Sequence, residues 1–213
     1  LIENNSVENI TVQANNVNVN GFMTEAMMSA DVVAGKKAND SLTFITSELE
    51  KCGIESIADM GFSFHIFNSE SWDTIVDTDM VSMETSIASS YTQAVDDSGE
   101  ALIDSNGIKI IAKGISEGDS LFGPSVLLYM ENNSDKNITV QARDVSVNGF
   151  MINSSMSEDI VIGKKAMGEL QFFGTDLEEN SITDITDVEL CFHIFEQESW
   201  NTIMDSDAVT ITF

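Results

Sequence analysis

A chain of 213 residues with 36 acidic and only 9 basic side chains carries a formal charge of −27 and a sequence pI near 4.1. Such a field repels phosphate backbones and anionic lipid surfaces, which excludes nucleic acid as a partner and membrane binding driven by charge. At 42% hydrophobic residues there is material for a packed core, yet no run of 18 or more apolar residues that could cross a bilayer as a helix.

In chain order, Leu1-Ile2 runs into Glu3-Asn4-Asn5-Ser6, a strand ending in a turn. Residues 10–14 (ITVQA) alternate apolar and polar with period two, the mark of a half-buried strand. The alternation resumes at Val17 and Val19 with its facing set flipped, which predicts a bulge at 15–16. Asn20-Gly21 then supplies the two positive-φ positions of a type I′ hairpin turn. Past Lys36-Lys37 a strand is expected over 42–45, followed by Ser47-Glu48-Leu49-Glu50, which fits a capping box opening one or two turns of helix. The strand over 60–67 carries FHIF: Phe62, Phe64 and Ile66 form its core face, and Ser63, His65 and Phe67 the opposite one. A polar loop leads to Trp72, and a short strand at 81–83 closes the first module. Residues 86–90 read as a linker, and strands follow over 91–95, 101–104, 107–115 and 125–130.

From Tyr129 the first 85 residues return without a gap, at an offset of 128. His65 becomes His193, Trp72 becomes Trp200, and about half of the aligned pairs are identical. A period this long is that of a domain. Short strands, Asn/Gly/Ser turns, a single proline and one capped helical turn per copy give an all-β chain. It reads as two tandem antiparallel β-sandwich modules, immunoglobulin-like in architecture. They span residues 1–86 and 87–213. The first-copy equivalents of the strands before residue 129 would fall ahead of residue 1. The first module is therefore expected to lack its N-terminal strands and to be prone to self-association there. Cys52 and Cys191 sit at non-equivalent places in the repeat and read as two free thiols.

ENNSDKNITVQARDVSVNGFM, then IGKKA, a capped turn and FHIF with ESW, resemble immunoglobulin-like modules of uncharacterised surface lipoproteins from Gram-positive, clostridia-like gut bacteria. The resemblance implies export, display at the cell surface through a lipidated cysteine outside this sequence, no catalysis and no cofactor. Membrane association would come only through that anchor, and the partner would be a protein or glycan at the cell surface.

The candidate ligand-binding residues come in equivalent sets. His65 and His193 stand on the non-core face, where a hydrogen-bonded surface histidine is the ordinary reading and a metal pair with Cys191 falls short of four ligands. No nucleophile elbow accompanies either, so no catalytic residue is assigned. Trp72 and Trp200 follow polar loops and suit either anchoring to the core or stacking on sugar rings. Lys36, Lys37, Lys164 and Lys165 could hold an anionic polymer, although lysines also blunt strand edges. Asp77, Asp79, Asp205 and Asp207 offer clustered oxygens for calcium, but the EF-hand pattern fails and no metal is assigned. The expectation is a non-enzymatic binding or spacer protein, with a carbohydrate-binding module using the two tryptophans as the alternative and an enzyme third.

Overall fold

The computed structural model describes residues 1–118 and 123–213 and divides them into two compact units, Leu1–Val95 and Asp96–Phe213. Both are built almost wholly of antiparallel strands, with one six-residue helix each, so the fold is all-β and sandwich-like. The division falls at Val95/Asp96 and not within 86–90. The residue before that stretch is tied to the first unit, the Thr85 N–H donating to the Ala58 carbonyl at 2.8 Å, and the stretch itself makes a turn closed by the Tyr91 N–H on the Ile87 carbonyl at 3.0 Å. The strand expected over 91–95 does not form. Gln93 instead holds this stretch with its side chain, donating to the Gly53 carbonyl (3.0 Å) and accepting from Asn20 Nδ2 (2.9 Å).

In the first unit Ile10–Val19 lies at the centre. Asp59–Asn68 pairs along one side of it, and Ser29–Val32 and Phe22–Met23 along the other. Thr74–Asp77 and Val81–Glu84 extend the sheet beyond Asp59–Asn68. Two short ladders complete the unit, Ile2–Glu3 with Lys37–Ala38 and Ala26–Met27 with Thr43–Phe44.

The second unit repeats that sheet as Ile138–Val147 between Asp187–Glu196 on one side and Ser157–Ile160 and Phe150–Met151 on the other, with Thr202–Asp205 and Val209–Thr212 outermost. It adds a second sheet ordered Glu100–Ser105, Ile108–Ser116, Ser125–Asn132 and Lys165–Phe172. Leu190, Phe192 and Ile194 from one sheet and Ile110, Leu128 and Leu170 from the other are all fully buried. In the first unit, Phe62, Phe64 and Ile66, the equivalents of the first three, are only half-buried.

The register shifts fall where the alternation flips, between Asn15 and Asn18 and between Arg143 and Ser146. Asn16 (φ 54°) and Asp144 (φ 53°) take up the bulge in the left-handed region. Asn20-Gly21 and Asn148-Gly149 make the positive-φ turns. The capping boxes do not form, so the helical turns are not capped by side chains as expected. The helices run Thr46–Lys51 and Gly174–Glu179 from Ile45 and Phe173, both extended and without a side-chain cap bond. Ser47 and Thr175 thus fall inside the first turn, past the position from which a hydroxyl can reach the free amides. Asp176 turns outward and accepts from the Asn153 backbone N–H (2.9 Å) and Nδ2 (2.6 Å).

A buried asparagine latches each unit. Asn4 Nδ2 donates to the Glu8 and Val32 carbonyls at 2.7 and 2.8 Å, and Asn132 Nδ2 to those of Lys136 and Ile160, both at 2.8 Å. Each Oδ1 accepts the N–H of the serine two residues on. With the same serine's hydroxyl also donating to Oδ1, four bonds per side chain satisfy a group that would be costly to bury unpaired.

Candidate functional site: an aromatic ladder under an exposed tryptophan

The residues singled out by the repeat meet on the outer face of the central strand pair. Because His65 stands opposite Asp77 in the ladder and His193 opposite Asp205, each imidazole Nδ1 lies beside a carboxylate, at 2.6 and 2.5 Å. Two residues along the same face, the His65 ring packs against Phe67 with centroids 5.2 Å apart, and His193 against Phe195 at the same spacing. Each phenylalanine is buried, and upon it lies the tryptophan of the following loop. Phe67–Trp72 and Phe195–Trp200 stack with centroids 5.4 Å apart and interplanar angles of 17° and 15°. The indoles are nevertheless 73% and 75% exposed.

Loop closure explains how a tryptophan comes to lie there. The Asn68 N–H donates to the Asp73 carbonyl and the Trp72 N–H to the Asn68 carbonyl, both at 2.9 Å. In the second unit Glu196, Asn201 and Trp200 close the loop in the same way. Such a four-residue connection ends on a residue with positive φ, a place that suits glycine or asparagine. Here Trp72 has φ 65° and Trp200 φ 59°. A bulky side chain in that region is disfavoured by about 1–2 kcal/mol. The same strained, solvent-exposed indole occurs in both units.

The remaining sequence candidates go elsewhere. Asp77 and Asp205 are engaged with the histidines, and among the described residues no group of three or more His, Cys, Asp or Glu side chains is placed to hold a metal ion. Asp79 and Asp207 accept, through their backbone carbonyls, the hydroxyls of Thr78 and Ser206 in the turns after these strands. Lys37 forms an ion pair with Glu3 at 2.7 Å, and Lys165 stands opposite Glu131 in its ladder. Lys36 and Lys164 contribute backbone carbonyls that accept the Asn4 and Asn132 N–H groups. These lysines belong to the strand pairing of Ile2–Glu3 and Ser125–Asn132 and not to the aromatic ladder. Neither cysteine is in a disulfide; burial and neighbouring carboxylates push the Cys191 thiol up, so it is protonated at neutral pH.

Sequence reading places Phe67 and Phe195 on the outer face but gives them no part in the site. The signal that could have found them is the fixed spacing F-x4-W in both copies, five residues from a strand end to the last position of a tight loop.

No protein-family model matches the chain, and no curated protein matches it. Among solved structures the chain is similar to the exo-beta-D-glucosaminidase CsxA, described in a study of its inhibition by a glucosamine-configured castanospermine and an amino-australine analogue. The identity is 10% and the TM-score 0.33, over 97% of this chain and 24% of that one, so the chain spans about a quarter of that enzyme's length. A likeness at this level bears on neither fold nor function.

Proposed function

We propose that the protein is a non-enzymatic binding protein of the cell exterior whose two tryptophans are contact platforms for glycan ligands. One observation carries this reading: the indole is held, in both units, in a backbone conformation that works against it, and is left three-quarters exposed. An anchoring tryptophan would gain its stability by burying its large apolar area. Here a buried phenylalanine supports one face of the ring while most of the side chain stays in water. Strain retained at an exposed residue is a pointer to binding. A flat, rigid indole offers the apolar C–H face of a sugar ring a large contact at little cost in conformational entropy.

A glycan array probed with the intact protein tests this. Binding to at least one glycan class is expected, and the Trp72→Ala/Trp200→Ala double variant should lose it. An unchanged array signal in that variant would remove the tryptophans from the site.

A further inference from the structure

The two platforms share their aromatic parts but differ in the charge around them. Three carboxylates, Glu8, Glu70 and Asp73, surround the loop of Trp72. Their hydrogen bonds come from neutral groups: Asn68 Nδ2 donates to Glu8 (3.1 Å), Asn9 Nδ2 to Glu70 (3.2 Å) and Ser71 Oγ to Asp73 (2.8 Å). At the second platform the equivalents of Glu8 and Asp73 are Lys136 and Asn201. Lys136 Nζ binds Glu196 at 2.6 Å and neutralises it, and Glu198 and Asp135 also lie in the field of that ammonium. The first platform thus has three carboxylates and, among the described residues, no cation bonded to them, and the second is the less anionic of the two because Lys136 offsets part of its charge.

An indole face attracts cations through its quadrupole, and a carboxylate rim strengthens that attraction. A chain of charge −27 draws cationic polymers toward it and turns anionic ones away. We infer that the glycan bound by these platforms carries protonated amines, as a polymer of free amino sugars does, and that Trp72 binds it more tightly than Trp200. This rests on the glycan-stacking reading. The sugar ring lies on the open face of the indole, and its ammonium group projects over that face toward Glu70 or Asp73. A neutral sugar gains the stacking alone, and an acidic one is repelled by the same carboxylates.

Two hexasaccharides with the same β-1,4 backbone, one of glucosamine and one of glucose, isolate the amine. They would be titrated into the single-tryptophan variants Trp200→Phe and Trp72→Phe, with indole fluorescence as the readout. The amino hexamer should bind Trp72 about fivefold more tightly than the glucose hexamer does, and about threefold more tightly than it binds Trp200. Glu70→Gln/Asp73→Asn, which keeps both tryptophans, should bring the Trp72 site down to the Trp200 affinity. Raising the salt to about 0.5 M should erase the preference for the amine, because the rim is exposed and screened. Equal affinity for the two hexamers at Trp72 would overturn the inference and leave the stacking reading standing. Silence toward both hexamers, together with an empty glycan array, would bring down the reading itself.

Discussion

At the scale of single residues, two opposed terms of similar size meet in Trp72 and Trp200. Left-handed backbone at a bulky residue is unfavourable by about 1–2 kcal/mol. Stacking on Phe67 or Phe195 returns about 0.5–1.5 kcal/mol beyond the area it buries. Replacing Trp200 with glycine removes both terms, so stability in urea should change by less than about 1 kcal/mol while glycan binding at that unit disappears. A structural tryptophan would behave otherwise, since truncating a buried one is destabilising by about 3–5 kcal/mol. A loss of that size on Trp200→Gly would make the indole part of the fold and withdraw the strain argument.

At the scale of elements, the strand Ile108–Ser116 does unexpected work with its outward residues. Lys109 pairs with Asp97 at 3.0 Å. Lys113 pairs with Asp96 at 3.0 Å and also donates to the Ser98 carbonyl, at 2.5 Å. The two ammoniums fasten the turn that feeds Glu100–Ser105 onto the neighbouring strand. Hydrogen bonds from Ser98, then from Lys113, lower the Asp96 carboxyl from its ordinary value of 3.8 to about 2. A carboxyl depressed in the folded state stabilises above its unfolded value and loses that contribution as pH falls through the folded one. The turn should therefore stay fastened down to about pH 4 and loosen between there and about pH 2. A carboxyl-carbon NMR titration should place the Asp96 midpoint near 2, and in Lys113→Met it should move up toward 3.8. An unmoved midpoint would mean that Ser98 alone sets it.

How legible these elements are from sequence follows from how local their causes are. The Asn-Gly turns and the flips at 15–16 and 143–144 depend on backbone geometry within a few residues, and alternation exposes them. The reach of the Asn4 and Asn132 latches to Val32 and Ile160 and the lysine clamps depend on register, so composition alone marks the residues and not the bonds. The Phe–Trp stacks, by contrast, are local and show only as a repeated spacing. Ser47 and Thr175 show the reverse failure. A correct local motif is bypassed because each helix begins from Ile45 or Phe173, two residues before the hydroxyl.

At the scale of the whole molecule, the two units bury the same sheet face to different depths. Register places Phe62 beside Val81, Ile66 beside Val76 and Met60 beside Met83, so these side chains share one face with Phe64. Val81 and Met83 are 41% and 51% exposed, whereas Ile211, the equivalent of Met83, is 2% exposed, and Leu190, Phe192 and Ile194 are fully buried. Full burial of one such side chain contributes about 1.5–3 kcal/mol, so several half-buried ones leave the first sheet with a much smaller apolar contribution. The outermost strands should feel this most, because they hold on through one ladder and that face. Opening of Val81–Glu84 should need less free energy than opening of Val209–Thr212, with the same ordering for Thr74–Asp77 against Thr202–Asp205. Hydrogen exchange on the intact chain, read peptide by peptide, tests this with each strand's counterpart as its internal control. Protection at Val81–Glu84 should be at least tenfold lower than at Val209–Thr212, which corresponds to about 1.4 kcal/mol. Equal protection in an otherwise monomeric chain would show that the exposed face of the first sheet is covered in solution.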